Sequence, residues 1–450
     1  MRVLLRHLYS AAWLLAVPAA IGYLLYRSVR QPAYRLHWRE RFGLSQAPPA
    51  GYRPIWIHAV SVGETAAAAP LVRRLAARYP RTFFLLTHAT PTGRAAGKDL
   101  FRDLGPRLRQ CYLPYDLPFC VGRFLAIQRP LCGLIMETEV WPNLMHAAQR
   151  RAVPMAVINA RLSPKSLARG LKYRNLIAPA IDAFDVIVAQ SSADSARIAQ
   201  LARPADAIAG NLKFDQVVSE AAARTGEEWR RRLGSRRLVV AASTRDGEEA
   251  LILQSWRRLR ERAAGTALPL LAIVPRHPNR FETVAALIAA GAPDYRLLRR
   301  TALDGPEDRL QAADILLGDS MGEMQSWYAC ADVVLMGGSL LAYGSQNLIE
   351  ANALGCPVVL GPSVFNFEQA AAEAIAAGGA LQVADSDAAV AAALAILGDE
   401  TRRAAMSRAA KVFALAHRGA TQRTLEALKP LLLRSLRDQP SSGEVPAGRP

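Results

Sequence analysis

The stretch at residues 333–362, VVLMGGSLLAYGSQNLIEANALGCPVVLGP, decides the fold class. Residues 333–336 form an apolar run long enough for one buried parallel strand, and Gly337 and Gly338 break it. Ser345 is positioned to cap a helix running from 346 to about 354; Gly355 and Pro357 stop it, and residues 358–360 begin another strand. A glycine-rich turn feeding a helix N-terminus offers backbone N–H groups and the positive end of a dipole, which suit a phosphate. Glu350, just inside that helix, can accept hydrogen bonds from ribose hydroxyls. An ordinary strand-turn-helix unit, with its glycines serving close packing, accounts for the same residues, so the stretch alone leaves both readings open.

Outward from it the same alternation recurs on both sides. From residue 54, apolar strand-like runs at 55–58, 82–87, 131–136, 153–158 and 186–189 alternate with helical segments. Beyond residue 237 a second series runs through 238–242, 270–274 and 315–317. Such alternation predicts parallel α/β sheets covered on both faces, with ligands outside the carboxyl ends of the strands. Ser61, Gly63 and Glu64 follow the first strand and Glu137 follows the third, where chemistry is expected; Glu137 also suits a helix N-terminus as a favourable carboxylate. Arg276, His277 and Arg280 crowd another strand end, as a phosphate or carboxylate pocket would. The segment from Gly210 to Arg237 reads as a linker and a helix joining two α/β halves, and the last helical segments as closing the second half.

The net charge is +18 over 450 residues, and it is unevenly distributed. Residues 1–210 hold 28 Lys/Arg against 11 Asp/Glu, leaving 28 against 27 in the remainder. The first half therefore faces an anionic partner, whether nucleic acid, phospholipid or a phosphorylated substrate. Five cysteines without metal-type spacing read as buried thiols in a reducing compartment. Residues 8–26 carry no charge and reach the length of a minimal membrane-spanning helix. Arg27, Arg30, Arg35, Arg39 and Arg41 make its C-terminal flank the more basic one, which keeps the body cytoplasmic. An uncleaved anchor is expected; a helix lying in the interface and a cleaved signal peptide compete with it. Glu40, the only carboxylate among the first 63 residues, lies among arginines; a solvated ion pair is the plain reading and a general base near the membrane the sharper one.

The motifs go further. HAVSVGE at 58–64, YLPYDLP at 112–118, METEVWPN at 136–143, GNLKFD at 210–215, PRHPNRF at 275–281, GDSMGE at 318–323 and GPSVFNF at 361–367 resemble, in order and spacing, the Kdo (3-deoxy-D-manno-octulosonic acid) transferases of lipopolysaccharide synthesis. The resemblance spans nearly the whole chain. It implies the GT-B glycosyltransferase architecture: an anchor at 1–30, an acceptor-binding α/β domain at 31–210, a nucleotide-sugar-binding α/β domain with closing helices at 211–435, and a disordered tail at 436–450. The implied reaction moves Kdo from CMP-Kdo to the acylated disaccharide lipid IVA at the cytoplasmic face of the bacterial inner membrane, inverting and without a metal or other cofactor. Anionic membrane lipids would then be the partner of the basic half.

By the same resemblance, Glu40 falls on the family's general base and Glu137 on a supporting carboxylate of the active cleft. Ser61, Gly63 and Glu64 would line the cleft on the acceptor side. Arg276 and His277 would meet the donor's charged groups. Gly337, Gly338 and Ser339, with the helix at Ser345, would hold its phosphate, and Asn347 and Glu350 the nucleotide. Where the family reads Gly-Gly-His-Asn-Pro, this chain reads Gly344-Ser345-Gln346-Asn347-Leu348, so a hydrogen bond replaces a potential cation. A membrane-bound enzyme using a UDP-sugar is the nearest rival. An inactive lipid A sensor is another, and a tethered nucleic-acid-binding protein a third; the last has no recognisable nucleic-acid module to support it.

Overall fold

The computed structural model describes residues 2–216, 218–262, 269–303 and 307–437. The chain divides into two compact units, residues 1–216 with 418–450, and residues 217–417.

The first unit is built on seven strands: β1 (Ile55–His58), β2 (Phe84–His88), β3 (Leu108–Tyr112), β4 (Cys132–Met136), β5 (Met155–Ala160), β6 (Val186–Ala189) and β7 (Ala207–Ile208). Their order across the sheet is β3-β2-β1-β4-β5-β6-β7, and every pairing is parallel. The central strands read as unbroken apolar runs because helices cover both faces; β1 and β4 are buried at every residue. One face packs Ile55, Ile57 and Leu134 against the helix Val62–Arg78; the other packs Trp56, Leu85 and Ile135 against Phe124 and Leu144. The strand order reverses between β1 and β4, the topological switch point where such sheets bind ligands.

The second unit repeats the plan with β8 (Leu238–Thr244), β9 (Leu270–Pro275), β10 (Leu297–Arg299), β11 (Ile315–Leu317), β12 (Val333–Met336), β13 (Val358–Leu360) and β14 (Ala380–Gln382). The order is β10-β11-β9-β8-β12-β13-β14, all parallel, with its reversal between β8 and β12. The expected strands are thus present, with ends displaced by a residue or two.

The boundary expected at 211–435 is corrected at its far end. The helix Ala420–Arg437 belongs to the first unit, burying Leu428, Leu431 and Leu432 in that core. Asp215 explains the attachment: its carboxylate accepts the Gly419 and Thr421 N–H groups at 2.7 and 2.5 Å and so caps that helix. Of the tail expected at 436–450, residues 436 and 437 continue the helix, and residues 438–450 lie outside the described residues.

The N-terminal helix, Arg2–Arg30, is long and apolar enough to cross a membrane by length and composition. One stripe of it lies on the first unit. Tyr9 donates to Asp116 at 3.0 Å, Ser10 meets Asn143, Trp13 packs on Tyr115 and Trp141, and Leu24 and Ser28 are buried. Leu4, Leu8, Leu14, Leu15, Leu25 and Tyr26 point outward, exposed. All five cysteines are free and buried, as the sequence led us to expect.

Candidate active site

At the switch point of the first sheet, Ser61 caps the helix Val62–Arg78 by accepting the Glu64 N–H, and the Glu64 carboxylate reaches back to the Val60 N–H at 2.7 Å. This reciprocal arrangement holds the turn after β1 in place. Gly63 in the first helical turn is exposed, and a side chain there would meet only open space. Glu137 follows β4 directly with φ of 57°, a left-handed conformation that costs a non-glycine residue about 1–2 kcal/mol. Its carboxylate accepts from the Lys213 ammonium at 3.0 Å, both side chains being largely buried. Burial, with Glu137 and then Glu139 adding their charge, raises the Glu64 carboxyl from 4.5 to about 7, and Glu139 is raised by burial as well. Three carboxylates and one lysine thus converge at these strand ends. Lys213 was missed in the sequence because it sits in a segment that reads as a linker.

Glu40 stands in a separate cluster of the same unit, in the short helix Trp38–Phe42. Arg94 holds it with two hydrogen bonds, at 2.5 and 3.3 Å, and the Tyr112 N–H donates to it at 2.9 Å. Arg41 and Arg94 both lie over the Tyr112 ring, at 4.1 and 5.2 Å. His58, first residue of HAVSVGE, is fully buried against Thr87; burial, then the neighbouring His88, lower its pKa to about 3, so it is a neutral packing residue.

In the second unit the switch point lies between β8 and β12. Arg276, partly buried, donates its Nε–H to the Gln346 Oε1 at 3.2 Å; Asn347 donates to Glu350 at 2.8 Å. Burial lowers the Arg276 pKa, and the Arg245 guanidinium lowers it further. Arg245 in turn approaches the exposed His277 at 3.4 Å and lies over the Tyr343 ring at 4.7 Å. Two guanidinium groups whose charges disfavour each other mark a site suited to an anion.

The glycine turn differs from expectation. The Gly338 N–H is taken by the carboxylate of Glu248 at 2.6 Å, which also accepts from the Leu340 and Arg245 N–H groups, and the Gly337 N–H is taken by the Ala242 carbonyl. A side chain at Gly337 would come within 2.4 Å of the Ser243 carbonyl oxygen, so that glycine serves backbone approach. Ser339 is buried, its hydroxyl donating to Met336 and accepting the Gly361 N–H. The helix cap also moves: Ser345 is buried with φ of 71°, and Asn347 caps a helix that begins at Leu348. A buried carboxylate thus occupies the turn expected to cradle phosphate.

These observations meet the comparisons with known proteins. Residues 36–216 match the family described as 3-Deoxy-D-manno-octulosonic-acid transferase (kdotransferase). A 3-deoxy-D-manno-octulosonic acid transferase of Bordetella pertussis is 45% identical over 86% of this chain and 90% of its own. The transferase of the same name from Haemophilus influenzae is 35% identical over 96% of this chain and 100% of its own. The chain belongs to the 3-deoxy-D-manno-octulosonic acid transferase family. It is a glycosyltransferase, and the sugar its family handles is Kdo. A UDP-N-acetylglucosamine 2-epimerase from Listeria monocytogenes, 16% identical, shares the two-domain GT-B-type fold with a TM-score of 0.57 over 87% of this chain and 100% of that one.

The Glu64 carboxyl of this Kdo transferase gives a pH test. Its folded pKa lies above its ordinary value, so the folded chain binds that proton more tightly than the unfolded one. The resulting stabilisation is complete below pH 4.5 and is lost as pH rises through about 7. Glu64→Gln keeps an acceptor for the Val60 N–H and cannot ionise. It is expected to stabilise the fold relative to wild type well above neutral pH, by on the order of 1–3 kcal/mol and seen as a higher melting temperature, and to leave it near wild type in mild acid. An equal loss at both pH values in thermal melts would show that the carboxylate charge carries no such cost.

Proposed function

We propose that this enzyme transfers Kdo from CMP-Kdo to the lipid A precursor lipid IVA, by an inverting displacement that needs no metal, on the cytoplasmic face of the bacterial inner membrane. The observation that supports the reading is that each unit, taken by itself, carries a charged cluster at its switch point, acidic in the first (Glu64, Glu137, Glu139) and dibasic in the second (Arg245, Arg276). In this reading Arg276, assisted by Arg245 and His277, binds the donor's phosphate and carboxylate, and Asn347 with Glu350 addresses the nucleotide. Ser339 and Ser345 act by shaping that pocket, with Gly337 and Gly338 holding the turn beside them. Gln346, hydrogen-bonded to Arg276, steadies the guanidinium where the resemblance expects a histidine.

On the acceptor side Glu40 takes the proton from the attacking hydroxyl. About four lone-pair sites are available on a carboxylate; Arg94 and Tyr112 use three of them here, and the His37 imidazole lies 3.7 Å from Oε1, beside the fourth. Glu137, oriented by Lys213, supports the acceptor and the positive charge developing at the anomeric carbon; Ser61 and Glu64 fix the adjoining turn, and the bare Gly63 leaves room. CMP departs readily, so orientation and charge stabilisation supply most of the acceleration.

The N-terminal helix supports a membrane location. Its contacts from Tyr9 to Ser28 keep one stripe on the protein, which favours a helix lying in the interface, outward leucines in the lipid, over an isolated span. The basic first half would add attraction to the anionic leaflet. The reading is tested by CMP release when CMP-Kdo and lipid IVA are supplied together to the membrane-extracted enzyme. Release is expected to need both substrates and to be unchanged by EDTA. Loss of release on chelation would refute the metal-independent step, and release of UDP from a UDP-sugar, with no CMP released from CMP-Kdo, would refute the donor.

A further inference from the structure

Beside Glu137 the first unit contains a cavity of about 320 Å³. Its walls are hydrocarbon: Val157 and Ile187 from β5 and β6, Ile177 and Ile181 from the helix Arg174–Asp182, and Ile198 and Leu201 from the helix Ser192–Leu201. Several of these side chains belong to the core cluster on that face of the sheet, so the space is an apolar recess opening from the core, of a size to take hydrocarbon. Polar groups appear only at its margins. Glu137 and Thr138 stand at the strand-end side, and Arg161, Ser166 and Arg169 stand beside the helix Pro164–Lys172.

That helix covers the cavity as a flap. None of its residues is fully buried. Leu167 packs inward on the core cluster, while Leu171 and, just beyond the helix, Tyr173 are 43% and 63% exposed. Lys165, Arg169 and Lys172 give the flap three cations and no carboxylate. Exposed apolar side chains interleaved with cations on one short amphipathic helix suit an anionic lipid surface. The adjoining helix Arg174–Asp182 packs against the N-terminal helix, whose outward face is itself apolar.

We propose that this cavity binds one acyl chain of the lipid acceptor, the flap lifting to admit it, with the chain's polar end held at Glu137 and its phosphate near Arg161 and Arg169. The inference rests on the lipid-acceptor reading above and adds to it a site for the tail. The charge arrangement favours this occupant: a phosphorylated amphiphile meets the cations of the flap and margin with its head and the hydrocarbon interior with its tail. Continuity with Glu137 places the head beside the reacting groups.

The test uses the full-length protein and a medium-chain fatty acid carrying a terminal diazirine. After photolysis, label is expected on the peptides spanning residues 157–201. Ile177→Trp and Ile198→Trp, each filling the cavity from a different helix, should reduce that label about tenfold, with thermal melts reporting whether each remains folded. In parallel, lipid acceptors with shortened acyl chains should show KM rising about fourfold per methylene removed, the factor expected for hydrocarbon leaving a buried site, and the tryptophan variants should flatten that dependence. Wild-type label confined to the N-terminal helix, or a KM indifferent to chain length, would overturn the proposal. CMP release is read separately, so an enzyme that fails to use lipid IVA but labels in the cavity would count against the function and for the site.

Discussion

Glu40→Gln is expected to lower kcat for Kdo transfer by roughly 10²–10⁴-fold, the range a positioned general base contributes, while leaving the KM for CMP-Kdo near wild type. Glutamine keeps the shape of the side chain and one oxygen for the Arg94 and Tyr112 donors, so the local fold should survive. What it loses is the ability to take a proton. Arg94 is a positioning residue in the same account: it fixes the carboxylate from the helix Pro91–Leu100, with its own guanidinium over Tyr112. Arg94→Ala should therefore lower kcat less than Glu40→Gln does, and Arg94→Lys should recover part of the loss. Single-turnover kinetics with saturating donor would check both, and Glu40→Gln turning over at the wild-type rate would remove Glu40 from the chemistry.

The second large effect is on stability. Glu248 is completely buried and accepts three backbone N–H groups: Arg245 at 2.8 Å, Gly338 at 2.6 Å and Leu340 at 3.0 Å. Removing the carboxylate strands all three donors, at about 1–3 kcal/mol each. Glu248→Ala is thus expected to destabilise the second unit by about 3–9 kcal/mol, and Glu248→Gln, which retains one acceptor oxygen, by roughly half of that. Because Arg245 and the glycine turn are both tied to this carboxylate, donor binding should weaken in step with the fold. Chemical denaturation followed by tryptophan fluorescence, with Trp229 and Trp327 in tilted contact at 4.7 Å between ring centroids within that unit, would report the change. A Glu248→Ala protein within about 1 kcal/mol of wild type would mean that the turn finds other acceptors.

The same residue shows where the sequence stopped being legible. The order of apolar runs and glycine breaks was enough for two parallel sheets, and the motifs placed Glu64, Glu137 and Arg276 at strand ends, because those features are local. Gly337 and Gly338 looked like a phosphate cradle because their N–H groups are unclaimed by any neighbour in sequence. The group that claims Gly338 lies 90 residues earlier, on another strand-to-helix turn, and periodicity carries no trace of it. The sequence puts the helix cap at Ser345, whereas the structure gives it to Asn347. The left-handed backbone at Ser345 decided for Asn347, a choice made by tertiary contacts with Gly338. The last helix failed for a similar reason. Its apolar stripe fits either unit, and the deciding contact is Asp215, more than 200 residues away in a segment that reads as a linker. Lys213, two residues before it, was overlooked on the same ground, although its ammonium is the partner of Glu137.

The mass of the lipid is the most direct report of Kdo transfer. Lipid IVA incubated with freshly generated CMP-Kdo and the membrane-extracted enzyme should gain the mass of one or more Kdo residues, and the gain should vanish in Glu40→Gln. A folded, donor-binding enzyme that leaves the lipid mass unchanged would contradict the claim.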